Sequence, residues 1–325
     1  MKYCLYLMLM TGLLFSFCAN NNTQPSSLET KILVKETIPS EPESDILVTH
    51  PEHHFPYKLH SPQQTFKMPN KLEEISGLSL SPDGKHLLAI QDEEGDIFKV
   101  NLSSGEVEEE IDFGKDGDYE GIAVSGSTTY ITKSNGTIYE VKNTGKKNQE
   151  TSTHKTALKG RNDVEGLCYQ PATNSLLVAC KGIPTMGETT EEAAMRKSIY
   201  RFDLSTKKLI ERPVYQIQLS DVQKFLNSAA YHPNMKKLRS YLEDSNRFKF
   251  SPSGIAIHPK TGHLYILSSS KKMLLLLNTK GEIIYLAKLD KKIHRQPEGI
   301  AFSADGTLYI ANEGKGGHGK IFVYK

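Results

Sequence analysis

The chain has 325 residues, and 40 Lys plus Arg against 38 Asp plus Glu leave a formal charge of +2. A near-neutral chain with no long basic run lacks the electrostatic footprint of a nucleic-acid-binding protein. There is no Trp, but 15 Tyr and 12 Phe supply bulk for a core, and the length suits one large β domain or two smaller ones.

The N-terminus reads as a targeting segment. Met1 and Lys2 precede the uncharged run YCLYLMLMTGLLFSF, which ends at Cys18 and the polar stretch CANNNTQPSS. An apolar run this short is a secretory signal rather than a membrane span. The cysteine at its end and the flexible stretch behind it predict a bacterial lipoprotein. The expected layout is a signal peptide over 1–17, lipidation at Cys18, a tether over 18–54 and a folded domain over 55–325. Phe17 stands where a small residue is usual, so an ordinary signal peptide with an incidental Cys is the alternative. The expected location is the bacterial cell envelope, with a monomer held to the membrane by its lipid and facing the outer membrane or periplasm.

Five short phrases follow: EISGLSL, DYEGIAV, DVEGLCY, SPSGIAI and QPEGIAF. Their glycines, Gly77, Gly121, Gly166, Gly254 and Gly299, are spaced by 44, 45, 88 and 45 residues. A period in the forties signals stacked supersecondary units of propeller-blade size. After Gly77 come LSLS, HLLAIQ, DIFKVNL and EVEEEIDF, four β-rich segments separated by the turns PDGK and SSG. The same order returns after Gly254. The expectation is an all-β, five-bladed β-propeller with helical insertions. The last unit ends after three strands, so Tyr57 to Pro69 is expected to supply its fourth and close the ring.

The 88-residue step leaves six blades as the alternative. Five is preferred because GLCY, SLLVAC, SIYRFDL and VYQIQL already make one complete blade. TMGETTEEAAMRK then reads as a short helical insertion, and Ser220 to Phe248 as a helical excursion. Ser220 with Gln223 resembles a capping box, and Val222, Phe225, Leu226 and Ala229 share a helical face. Cys168 and Cys180 fall in neighbouring strands but not opposite one another. Two buried thiols are expected rather than a disulfide, and the spacing does not fit a zinc site.

In such a blade the first strand lines the central channel. Ser76, Glu120, Glu165, Ser253 and Glu298 should therefore ring one mouth, joined there by QDEEG, KSNG, CKG and ANEGKGG. The recurring Gly implies unusual backbone angles or close approach at the axis. Three carboxylates converging there repel and shift each other's protonation. A hard cation such as Ca²⁺ relieves this, since it accepts carboxylates mixed with amides, carbonyls and water. The alternative is that each Glu accepts backbone N–H bonds from a neighbouring blade. Lys133 and Lys181 follow second strands on this face. They would either pair with the carboxylates or bind an anion bridged to the metal.

These phrases, in this order, resemble the SdiA-regulated (YjiK-like) family over roughly Phe55 to Lys325. The resemblance implies a five-bladed propeller, distantly NHL-repeat-like, with bound calcium and no established activity. Carried onto matching positions, the metal ligands would be Glu120, Glu165 and Glu298, then Asp92, Glu93, Asn312 and Glu313. Ser76 and Ser253 interrupt a fully acidic ring.

Other motifs carry less. GKGGHGK matches the start of a P-loop, but Ile321 and a strand follow instead of Ser or Thr and a helix. No H-E-x-x-H or G-x-S-x-G occurs. Of the 11 His residues, His258 and His263 fall on the turn face, and His318 reads as an exposed loop residue. The expected function is a Ca²⁺-binding module for a small molecule or an envelope protein. A metal-dependent hydrolase of phosphoesters or other esters is the alternative, with Glu93 or Glu313 as general base. A metal-free envelope scaffold is a third reading.

Overall fold

A computed structural model describes residues 46–185, 193–228, 235–244 and 247–325. Two strands open the described chain, β1 (Ile46–Thr49) and β2 (Gln64–Lys67). Blade 1 follows with β3 (Ile75–Leu80), β4 (His86–Gln91), β5 (Asp96–Asn101) and β6 (Val107–Asp112). Blade 2 is β7 (Tyr119–Ser125), β8 (Thr128–Lys133), β9 (Ile138–Lys142) and β10 (Glu150–His154). Blade 3 is β11 (Val164–Gln170), β12 (Ser175–Cys180), β13 (Arg196–Asp203) and β14 (Lys208–Gln218).

Helices α1 (Leu219–Ser228) and α2 (Met235–Leu242) and the small hairpin β15 (Glu243–Asp244) and β16 (Arg247–Phe248) come next. Blade 4 is β17 (Pro252–Ile257), β18 (Leu264–Ser268), β19 (Met273–Leu277) and β20 (Ile283–Lys288). Blade 5 is β21 (Pro297–Phe302), β22 (Leu308–Asn312) and β23 (Lys320–Tyr324). The chain is thus a five-bladed propeller, and among the described residues the 88-residue step holds no sixth blade.

Closure works as expected. β2 pairs antiparallel with β23, Gln64 opposite Val323 and Lys67 opposite Lys320, and completes blade 5. This joins an early strand to the last one in one sheet, and leaves only the short outer edge of β2. β1 adds a fifth strand to blade 4, with Val48 opposite Leu286 and only 3% exposed. The propeller therefore begins before residue 55, inside the stretch assigned to the tether. Four residues at a sheet edge carry too little pattern to be distinguished from a linker.

Burial follows position in the blade. The second strand β18 is buried along its whole length, whereas the outermost strand β6 buries only Ile111 fully. Apolar faces of adjacent blades pack together, as where Leu274, Leu276 and Tyr285 of blade 4 meet Ile310, Phe322 and Tyr324 of blade 5. Helix α1 lays Val222, Phe225 and Leu226 against the outer core of blades 3 and 4. It starts at Leu219, so Ser220 lies inside the first turn rather than capping it. Of the TMGETTEEAAMRK insertion, residues 186–192 lie outside the described residues, and Arg196 and Lys197 at its end already belong to β13. Cys168 and Cys180 are free and buried, facing Leu177 and Val164 respectively.

The recurring phrase is a β-bulge. Each of the five inner strands slips register at it: between Ile75 and Gly77, Tyr119 and Gly121, Val164 and Gly166, Pro252 and Ile255, and Pro297 and Ile300. A bulge adds one residue, bends the strand and re-aims its side chains. None of the five glycines has positive φ, so backbone angle is not the reason for Gly. Close approach is. A Cβ on Gly254 would lie 2.1 Å from the Glu298 carbonyl oxygen, and one on Gly121 would lie 2.7 Å from that of Glu165.

Gly254→Ala must therefore push two inner strands apart. We expect a loss of about 1–3 kcal/mol or more, the cost of overpacking a core. Gly160→Ala, where an added Cβ meets nothing within 4 Å, should leave the urea midpoint unchanged.

Candidate functional site

The bulges bring the phrase residues of all five blades to one point. Ser76, Glu120, Glu165, Ser253 and Glu298 line a cavity of about 10 Å³ on the axis, with the adjoining glycines and apolar residues. That is about the room one water molecule needs. Ser76, Glu165, Ser253 and Glu298 are buried, and Glu120 is half-buried.

The two serines act as donors. Ser76 Oγ donates to the Tyr119 carbonyl at 2.9 Å, and Ser253 Oγ donates to the Pro297 carbonyl at 2.8 Å. In both cases the acceptor is the residue just ahead of the next blade's phrase position. An ionised Glu in the same position has no proton to give.

The carboxylates are strongly perturbed. Burial pushes Glu120 up to about 10, helped by the charges of Glu165 and Asp118. Burial pushes Glu298 up to about 8, helped by Glu165 and Glu313. Glu165 rises only to about 7, because Lys181 opposes its burial. Lys181 Nζ donates to Glu165 Oε1 at 2.5 Å, and its own ammonium is stabilised by that partner. Lys133 does not join this pair; its ammonium sits 5.2 Å from the centre of the Tyr119 ring.

The loop residues divide. Asn312 ends β22 opposite Pro297 and is buried, with Nδ2 3.3 Å from His294 Nδ1 and Oδ1 unpartnered. Asp92 is half-buried, and burial with the Glu74 and Glu313 charges raises it to about 6. Glu313 Oε2 lies 3.5 Å from Lys315 Nζ. Glu93 is exposed and stands apart from the axial cavity. His318 is half-buried rather than exposed, and its Nδ1 lies 3.0 Å from the Met68 carbonyl oxygen.

The sequence reading passed over a second acidic position. Glu74, Asp118 and Asp163 stand two residues ahead of Ser76, Glu120 and Glu165, and each adds charge at this mouth. The recurrence of an acid two residues ahead of the phrase position in three blades was the available signal.

Glu298 Oε2, Asn312 Oδ1 and Asp92 Oδ1 are buried without a hydrogen-bond partner. Such groups are costly and call for a ligand, water or ion. The donors are all oxygen, which suits a hard cation. Among the described residues, no three His, Cys, Asp or Glu side chains converge closely enough to hold a metal by themselves. A cation here would complete its shell from amide, main-chain and water oxygens, a mixture that Ca²⁺ accepts.

The SdiA-regulated family model matches residues 56–238 and 211–315. The chain belongs to the SdiA-regulated family. No curated protein matches it. Among solved structures it is similar to a glutaminyl cyclase of Myxococcus xanthus, at 10% identity and a TM-score of 0.50, covering 82% of this chain and 95% of that one. It is also similar to the PQQ-bound aldose sugar dehydrogenase of Streptomyces coelicolor, at 15% identity and a TM-score of 0.49, covering 82% and 97%. A streptogramin B lyase follows at 14% identity and a TM-score of 0.44, covering 80% and 97%. At these identities the likeness concerns the fold and not the chemistry.

The raised carboxyls fix a pH dependence for the metal-free protein. Above about pH 4.3, the ordinary Glu value, the unfolded chain releases protons that folded Glu298 and Glu165 retain. Stability therefore falls as pH rises from there toward 7 and 8, the folded values of Glu165 and Glu298. In chelator, denaturant midpoints should decline across this window, and Glu298→Gln should flatten the decline.

Proposed function

We propose that this chain is a lipid-anchored propeller of the bacterial cell envelope. It takes Ca²⁺ at its channel mouth and serves as a binding module for a small molecule or an envelope protein. The observation that carries this reading is the axial cavity itself: three glutamates line it, and Glu298 Oε2 is buried there without a partner. Glu120, Glu165 and Glu298 would hold the ion, with Asn312 and Asp92 as further oxygen donors. Glu93 and Glu313 are outer contributors, the first exposed and the second beside Lys315. A bound dication would neutralise the mutual repulsion of the ring.

The size of the cavity favours binding over hydrolysis. At about 10 Å³ it admits no ester group beside an ion. The lipid anchor rests on the leader and Cys18, which lie outside the described residues. Among the described residues no helix is long and apolar enough to cross a membrane.

Full-length protein stripped with chelator and then given Ca²⁺ should unfold at a higher temperature. A ligand bound only by the native state adds about 2.7 kcal/mol at 100 times its Kd. Glu298→Gln and Glu120→Gln should abolish most of the shift. An unchanged melting temperature, with no metal carried through purification, would remove Ca²⁺ from the proposal. Metabolic labelling with a fatty acid tests the anchor: the label should be incorporated, and Cys18→Ser should lose it.

A further inference from the structure

The segments that interrupt the repeat between blades 3 and 4 help to build a basic pocket. It opens on the same face as the carboxylate mouth, where the β12–β13 and β18–β19 connections meet the entries to β11 and β17. Arg161, Lys197, Arg247, Lys249 and Lys271 line it, and among the described residues no acid does. Its volume is about 500 Å³, which suits a small molecule.

These charges come from separate parts of the chain. Arg161 precedes β11, Lys197 lies in β13, Arg247 lies in β16 with Lys249 just behind it, and Lys271 lies between β18 and β19. Main-chain bonds fix the walls. Ile183 N–H donates to the Arg161 carbonyl, and Phe248 N–H donates to the Ala194 carbonyl, both at 2.9 Å. The helical excursion thus returns Arg247 and Lys249 to the start of β13.

The gathered charge perturbs its members. Burial holds Lys197 down at about 8, and Lys181 and Arg247 push the same way while Asp163 opposes them. Lys197 Nζ donates to the Lys181 carbonyl at 2.5 Å, which places a proton but leaves the charge unmatched. The positive field extends past the lining. Lys288 is held at about 8 by burial and by the charges of Lys272, Lys271 and Lys291, with Asp290 opposing. An anion in the pocket relieves this repulsion.

The number of cations selects the kind of anion. A single carboxylate answers one of them, whereas a phosphomonoester carries about −1.5 to −2 at pH 7 and three acceptor oxygens. Guanidinium groups meet such oxygens in pairs, and ammonium groups meet them as point charges. Ile183, Ala193 and Phe248 add an apolar wall for the organic part. Cations held in a pocket rather than a stripe, on a chain of net charge +2, do not suit a nucleic-acid backbone.

We propose that this pocket binds the phosphate group of a small organic phosphomonoester, with Lys197, Arg247 and Lys271 as its main contacts. This gives a ligand class to the binding role proposed above and rests on that reading for the role alone. It needs no ion at the mouth, so the two fail separately.

Titration calorimetry of the full-length protein with phenyl phosphate should show one site whose affinity falls as salt is added. Arg247→Gln and Lys271→Gln should each weaken binding about tenfold or more, the cost of a lost charge-assisted hydrogen bond. Both should keep the wild-type melting temperature, which separates lost binding from lost folding. Glu298→Gln, which should lose the Ca²⁺ response, should bind phenyl phosphate as wild type, and so should Lys67→Gln, an exposed control on β2. No binding, or binding that both pocket variants retain, would overturn the proposal, the second outcome marking an adventitious ion only. Association with phosphatidylglycerol vesicles but not with phenyl phosphate would also overturn it, in favour of a lipid headgroup.

Discussion

The structure turns on crowding at the propeller axis. Five inner strands approach the same line, and the backbones of neighbouring strands come so close that a single Cβ cannot be inserted at Gly254 or Gly121. Close packing of this kind leaves no slack for side-chain volume. The bulge at each phrase bends the strand as it enters the axis. It also turns the residue ahead of each Gly toward the common cavity. Fold and site are therefore one device: the geometry that closes the ring also gathers the five polar side chains.

What fills those positions divides into two chemistries. Ser76 and Ser253 each donate to the carbonyl just ahead of the next phrase, binding blade 1 to blade 2 and blade 4 to blade 5. Glu120, Glu165 and Glu298 occupy the remaining three. A neutral carboxylic acid carries an O–H as serine does, and burial biases Glu120 and Glu298 toward that neutral form. An ionised carboxylate needs a cation instead. With the proposed Ca²⁺, the ring would exchange a protonated state for a cation-bound one. An exchange of that kind couples metal uptake to proton release.

Much of this was legible in the sequence. The period of the five Gly phrases marks out the blades, and the three-strand last unit points to the closing strand at Gln64–Lys67. The meeting of Glu120, Glu165 and Glu298 followed from their equivalent places in the repeat. Features outside the repeat were not legible. β1 pairs through backbone groups at a sheet edge and carries no pattern of its own. The basic pocket gathers residues as far apart as Arg161 and Lys271, with Arg247 supplied by a hairpin outside the repeat. The inward turn of Lys181 depends on a loop geometry that CKG alone does not specify.

Lys181 would set the terms on which the proposed cation enters the mouth. Its ammonium already bonds Glu165, and its charge also eases Glu120 and Glu298. Of the three acids Glu165 has the least need of a metal, and its smaller pKa rise reflects that. Glu298 is the converse case: buried, with one oxygen unpartnered, and pushed up by both Glu165 and Glu313. A dication at the mouth, as proposed, would gain most on the Glu298 side. There it would meet the orphaned oxygen without displacing an existing ion pair. Drawing Glu165 in as well would require its release from Lys181, whose own side chain is partly exposed. In the proposed cation-bound state Glu165 would exchange Lys181 for the ion, whereas Glu298 would gain a partner for an orphaned oxygen.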